Sequence, residues 1–313
     1  MSAIHHVTAI SGEASRNLDF YTRTLGLRLV KKTVNFDDPG TYHLYYGDEQ
    51  GRPGTILTFF PWEHAAPGRN GDGLTEETAF RVPAGSMGYW THRFIVKGVA
   101  HKALERRFGE PVLTFTDPDG MNLALVGVSG ADEQSAWAEV IPAEHAIRGF
   151  HGVTLMVAQA APTGAILTNV LGFNESGREG SLVRCQVEGA AVGNVVTIRQ
   201  TDGFRPGRMG RGSLHHVAFR AVDDAQQAEM AGKLRSEHRL VPTEQLDRNY
   251  FRSVYFREPG GILFEIATDQ PGFAVDEPLE SLGRALKLPR FLEPHRKEIE
   301  AALPPIEEIE KAA

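Results

Sequence analysis

The chain has 313 residues, 41% of them hydrophobic and 23% charged, with a net charge of −7. That length can bury a sizeable core in one large or two ordinary domains, and the composition is that of an ordinary soluble globular protein. The acidic balance carries no nucleic-acid signature, the single cysteine, Cys185, excludes a disulfide framework or a cysteine-based metal site within one chain, and no apolar run reaches the length of a membrane helix. Met1-Ser2-Ala3-Ile4-His5-His6 runs straight into a strand-like segment with neither a basic nor an apolar leader, so a cytoplasmic location and a small-molecule partner are expected.

Taken in chain order, the signals repeat. His5 to Ile10 reads as a strand, Ala14 to Leu25 as a helix stopped by Gly26, and the runs 28–34, 42–46 and 55–60 as strands. A second copy starts at Glu76 to Arg81, with a helix near 86–96 and the turn Asp117-Pro118-Asp119-Gly120. A third starts at Phe150 to Leu155, with a helix near 162–171 before Gly172; its strand from Leu182 to Val187 carries Cys185 as a passive residue. The fourth starts at Leu214 to Phe219. Its helix over 223–238 opens on Asp223-Asp224 as N-cap, and strands are predicted at 239–245, 250–256 and 262–268, the last two separated by Arg257-Glu258-Pro259-Gly260-Gly261.

Four βαβββ modules in an α+β fold follow. A single module of about 50 residues cannot cover both faces of its sheet, so modules must pair into two pseudo-symmetric curved-sheet halves. The expected organisation is 1–145 for modules 1 and 2, 146–270 for modules 3 and 4, and 271–313 for a C-terminal tail, with a short helix at 293–303, packed on the surface.

The repeats can be read against one another. The residue before Val217 is His216; its counterparts are His6, Glu77 and Gly152. Four residues beyond Gly261 is Glu265; its counterparts are Thr58, Ala124 and Thr197. Glu265 sits inside the apolar strand Ile262-Leu263-Phe264-Glu265-Ile266-Ala267, where a carboxylate is costly without a cation. His6, His216 and Glu265 together form a two-histidine, one-carboxylate triad with open positions, which suits non-haem Fe(II) and O2 chemistry. Because Gly152 leaves module 3 without a ligand, module 1 must pair with module 4, and module 2 with module 3. Strand alternation turns His5 and His215 away from their neighbours, either to support the ligands or to face the other side. His43 is a candidate for substrate contact or for a structural role, and His151 is expected not to ligate.

These motifs resemble the vicinal oxygen chelate superfamily, which includes glyoxalase I, extradiol dioxygenases and antibiotic-sequestering proteins. Within it the chain is similar to ring-cleaving dioxygenases that act on hydroquinones. The likeness rests on Tyr42-His43-Leu44-Tyr45-Tyr46-Gly47-Asp48, on Pro53-Gly54-Thr55 through Thr58-Phe59-Phe60-Pro61, and on the stretch from Asp247 to Gly261, continuing through Phe264 to Asp269. The resemblance implies Fe(II), or sometimes Mn(II), on His6, His216 and Glu265, with His5, His215, Arg248 and Tyr255 lining or supporting the site. Arg248 is suited to hold a phenolate or superoxide charge, and Tyr255 lies on the strand beside Glu265. Tyr250 and Phe251, with Trp62 and Trp90, are aromatic candidates for the pocket wall.

The expected function is insertion of both atoms of O2 into a hydroquinone-type or catechol-type diol, an extradiol-type ring cleavage. The partners are then a small aromatic diol and O2, with no nucleic acid and no membrane, and a homo-oligomer is left open. One alternative is a glyoxalase-type isomerase or lyase using Zn(II) or Ni(II); it would need a second carboxylate where Thr58 stands. The other is a non-catalytic small-molecule binding protein, which has no use for a complete triad.

Overall fold

A computed structural model describes residues 2–201, 203 and 205–306. Module 1 comprises β1 (Ile4–Ser11), α1 (Ala14–Asp19) prolonged by a π-helical turn over Phe20–Thr24, β2 (Arg28–Asn35), β3 (Asp38–Gly47) and β4 (Ile56–Pro61). Module 2 comprises β5 (Leu74–Pro83), α2 (Met87–Lys97), β6 (Glu105–Arg107), β7 (Glu110–Thr116) and β8 (Asn122–Val128). Module 3 comprises β9 (Phe150–Val157), α3 (Ala160–Asn169), β10 (Asn174–Glu179), β11 (Leu182–Gln186) and β12 (Val195–Gln200). Module 4 comprises β13 (Ser213–Ala221), α4 (Asp224–His238), β14 (Leu246–Asp247), β15 (Arg252–Arg257) and β16 (Leu263–Thr268).

The local chemistry explains most boundaries. Asp223 caps α4 by accepting from the Gln226 N–H at 2.8 Å, leaving one fewer orphan donor. In α2, Met87, Trp90 and Phe94 recur at helical spacing and are buried. The strand predicted over 239–245 does not form; the two-residue β14 begins only at Leu246. Arg239 ends α4 in the left-handed conformation (φ 57°), and Pro242 has no N–H to give to a ladder. Only Thr243 fastens this stretch to β15, donating to the Tyr255 carbonyl and accepting from its N–H.

The strands form two eight-stranded sheets, in the orders β14-β15-β16-β13-β1-β4-β3-β2 and β10-β11-β12-β9-β5-β8-β7-β6. Modules 1 and 4 therefore share one sheet through the antiparallel pair β1–β13, and modules 2 and 3 share the other through β5–β9, as the ligand argument required. One hydrophobic cluster of buried residues runs through both halves, from Ile4 and Tyr21 through Trp90 and Phe150 to Phe219 and Ile266. Gly152 is fixed by packing: a Cβ there would lie 2.1 Å from the Val195 carbonyl oxygen. Module 3 thus lacks room for any side chain at the ligand position.

Both central strand pairs slip by one residue at two places. In β1–β13, His5 is the extra residue between the pairs Ile4↔Phe219 and His6↔Ala218, and His215 is extra between Thr8↔His216 and Ala9↔Leu214. In β5–β9 the extra residues are Glu76 and His151, the equivalents of His215 and His5. Each is a β-bulge, which re-aims side chains at the cost of local ladder bonds. The four bulges are a property of the repeat; three of the bulged residues are histidine, and in β1 and β13 the next residue is a metal-type histidine, His6 or His216.

Beyond β16, the tail packs on module 1. Residues 293–302, including α5 (Arg296–Ala302), are helical as expected, and Leu288, Ile299 and Leu303 bury against Val34. Lys31, fully buried, bonds to Asp276 and Glu277 at 2.5 Å each. No helix among the described residues is long and apolar enough to cross a membrane.

Candidate metal centre

β1, β13 and β16 are adjacent in the sheet, so His6, His216 and Glu265 meet on one face. All three are buried, and one ligand-type atom from each lies within 4.8 Å of the others. Glu265 Oε2 stands 2.9 Å from His216 Nε2 and 3.3 Å from His6 Nε2, and the two Nε2 atoms are 3.4 Å apart. Oε2 is buried and has no hydrogen-bond partner, whereas Oε1 accepts from Ser253 Oγ at 2.5 Å. Burial alone would raise the Glu265 pKa, but His6 and His216 win and hold it well below the usual carboxylate range. Burial lowers the His216 pKa.

The bulges decide where His5 and His215 point. Alternation would have sent them to the far face; instead His5 Nδ1 lies 3.0 Å from His6 Nδ1, and His215 Nδ1 lies 2.8 Å from His216 Nδ1. Burial, then the neighbouring histidine, lowers the pKa of each to about 3, so both are neutral and each can accept through Nδ1. With His5 and His215 as acceptors, the triad histidines would carry their protons on Nδ1 and leave Nε2 bare. Two bare nitrogens and a carboxylate oxygen converging without a proton between them repel one another unless a cation sits among them. The donor set therefore fits a divalent metal ion, with His5 and His215 orienting the ligands through their second nitrogens. The Thr268 backbone hydrogen-bonds His5 in turn.

His6 and His216 form part of the wall of a cavity of about 340 Å³. Arg248, Tyr255, His43, His215 and Phe251 all line it, joined by Tyr45, Phe60 and Trp62. Tyr255 lies opposite Glu265 in the β15–β16 ladder; burial, then Glu265, raises its pKa, so its hydroxyl stays protonated. The Arg248 guanidinium stacks 5.5 Å from the Tyr255 ring and pairs with Asp37 at 3.2 Å. Phe251 packs on the His5 and His6 rings, with centroids at 5.3 and 4.8 Å. Tyr250 does not line the cavity: it is buried behind it, bonding Asp276 and covering Lys31. Trp90 lies in the core of module 2.

The pseudo-twofold axis relates Tyr45↔Thr58 on β3–β4 to Tyr255↔Glu265 on β15–β16. Thr58 therefore occupies the place of Glu265. Its hydroxyl is held by His43 Nε2 at 2.8 Å and by Thr8 at 3.0 Å, while Tyr45 holds His43 Nδ1 at 2.8 Å. Both His43 nitrogens are engaged, and burial keeps the ring neutral. In the other sheet the equivalent face is filled by ion pairs, Glu77 with Arg107 and Glu110 with Arg184 and His151. Ser253, Asp37 and Phe36 were missed from sequence. Ser253 had one signal: it stands two residues before Tyr255, as His43 stands before Tyr45.

Comparison with known proteins agrees with this architecture. The profile of the Glyoxalase/Bleomycin resistance protein/Dioxygenase superfamily matches residues 3–125. The Bacillus subtilis (strain 168) protein named Putative ring-cleaving dioxygenase MhqO is 48% identical over 97% of this chain and 96% of its own length. The chain belongs to this superfamily. Among its full-length superfamily relatives is also the Chlorohydroquinone/hydroquinone 1,2-dioxygenase of Sphingobium indicum, 32% identical over 96% of this chain and 95% of that one. A crystal structure of a Bacillus subtilis protein titled as a dioxygenase superposes with a TM-score of 0.92 at 46% identity, covering 98% of both chains. Glyoxalase I from Zea mays, 15% identical with a TM-score of 0.64 over 86% of this chain and 93% of that one, shares the superfamily fold.

Proposed function

We propose that the chain is a non-haem Fe(II)-dependent, extradiol-type ring-cleaving dioxygenase that inserts both atoms of O2 into a hydroquinone-type diol. The carrying observation is the pair of symmetry-related positions. One holds Glu265, with its Oε2 free and aimed at two histidine nitrogens; the other holds Thr58, tied up by His43 and Thr8. A single carboxylate leaves coordination positions for both substrate and O2, whereas isomerase chemistry would call for a second one there. The relatives named for ring cleavage, one of them for hydroquinone, support the same reading. Mn(II) fits the same ligand set.

Fe(II), when bound, would supply Lewis acidity toward a phenolate and a route for electron density from the substrate to O2. The chain's own groups do the rest. Arg248 brings a positive charge to the cavity beside the site of phenolate binding. Tyr255, held protonated, donates a hydrogen bond. His215, its Nδ1 engaged by His216, offers Nε2–H as a proton donor. Phe60, Trp62 and Phe251 give an aromatic ring apolar walls and limit water. The test is turnover: the Fe(II)-loaded protein consumes O2 with hydroquinone and gives a ring-opened acid containing both oxygen atoms, and Arg248→Met removes most of that rate without unfolding the chain.

A further inference from the structure

Ser253 is buried to 0% exposure on β15, two residues before Tyr255 and on the same face. Its hydroxyl meets Glu265 Oε1 at 2.5 Å. Ionised Glu265 is acceptor-only, so the proton in this contact belongs to Ser253. Tyr255 follows on the same strand face, and the Arg248 guanidinium lies over its ring at 5.5 Å. Neighbouring side chains thus run from the cavity wall to the carboxylate: Arg248, Tyr255, Ser253, Glu265.

We infer that Ser253 is a positioning residue that holds Glu265 in a one-oxygen binding mode. With Oε1 engaged by the serine hydroxyl, only Oε2 faces His6 and His216. A carboxylate left free to rotate would offer both oxygens to the ion and occupy a position that O2 or substrate needs. Ser253 therefore acts on the number of open positions and not on the reaction itself. The symmetry mate reinforces this: His43, two residues before Tyr45, fixes the Thr58 hydroxyl by the same strand-to-strand contact. Both copies of the device clamp the group on the neighbouring strand, and only one of those groups is a ligand. This inference rests on the metal reading above.

The test uses the full chain and two variants, Ser253→Ala and Ser253→Thr, with folding followed by circular dichroism. Anaerobic Fe(II) titration gives the affinity, and the electron paramagnetic resonance spectrum of the Fe(II) protein with nitric oxide reports the coordination sphere without turnover. Ser253→Ala should bind Fe(II) about 10- to 100-fold more weakly and change that spectrum, while Ser253→Thr, which keeps the hydroxyl, restores both. A folded Ser253→Ala protein with wild-type affinity and spectrum overturns the inference, as does an equal loss in both variants, which would assign the effect to packing. Failure of the wild-type chain to bind Fe(II) is a different result and sinks the metal reading itself.

Discussion

Replacing Glu265 by Gln keeps the side-chain volume and the acceptor facing Ser253, but removes the charge that faces His6 and His216. The wild-type site has three buried donors and one oxygen without a hydrogen-bond partner, so on the proposed reading metal binds the folded chain in preference to the unfolded one. Ligand present at 100 times its dissociation constant then stabilises the fold by about 2.7 kcal/mol. With an unfolding entropy that scales with a chain of 313 residues, this raises Tm by about 4 °C. Differential scanning fluorimetry under anaerobic Fe(II), or with Mn(II) in air, reads the shift directly. The wild type should show it and Glu265→Gln should lose most of it. An equal shift in both proteins would mean the ion binds elsewhere; no shift in the wild type would mean the buried carboxylate is held by the imidazoles alone.

Three further outcomes follow from particular residues. His5 and His215 have folded-state pKa values lowered from 6.5 to about 3, so the unfolded chain takes up protons below pH 6.5 that the folded chain refuses. Their contribution is present above pH 6.5 and is lost as pH falls: the unfolding free energy from urea titrations should drop between pH 7.5 and 5 by roughly 2 kcal/mol per histidine, and His5→Asn should flatten the dependence. Tyr255→Phe removes a donor beside Glu265 and should lower kcat about 100-fold while leaving Fe(II) affinity and Tm nearly unchanged, as steady-state O2 uptake and fluorimetry will show. Gly152→Ala drives a methyl into the Val195 carbonyl and should cost roughly 2 kcal/mol or more, seen as a fall in Tm of several degrees; an unchanged Tm would show that β9 can move away from β12.

Much of this was legible in the chain. The four strand–helix starts and the turn glycines gave the modules, and the contrast between His6 and Gly152 dictated which modules share a sheet. The triad was legible because ligand residues interrupt otherwise apolar strands at equivalent repeat positions. The orientation of His5 and His215 was not. Period-two alternation holds only while both strands advance together, and nothing in His5-His6 or His215-His216 announces an extra residue in the ladder. Tyr250 and Phe251 are adjacent and both aromatic, yet one backs Lys31 and the other faces the triad; which of the two turns inward depends on Asp276 and Lys31, far away in sequence. Ser253 was hidden for a similar reason: a serine between Arg252 and Val254 is unremarkable until Glu265 is placed beside it. The 239–245 strand failed where local apolar content competed with a left-handed Arg239 and Pro242.

The central claim is that one ion, held by His6, His216 and Glu265, turns O2 onto an aromatic diol. Anaerobic loading with Fe(II), removal of unbound metal, and addition of hydroquinone or catechol in ¹⁸O-labelled O2 test it in one measurement, with product masses as the readout. The account predicts one iron per chain, consumption of O2 with hydroquinone, and a ring-opened product carrying both labelled atoms. A protein that retains no iron, or that retains it and leaves O2 untouched with both diols, would contradict it.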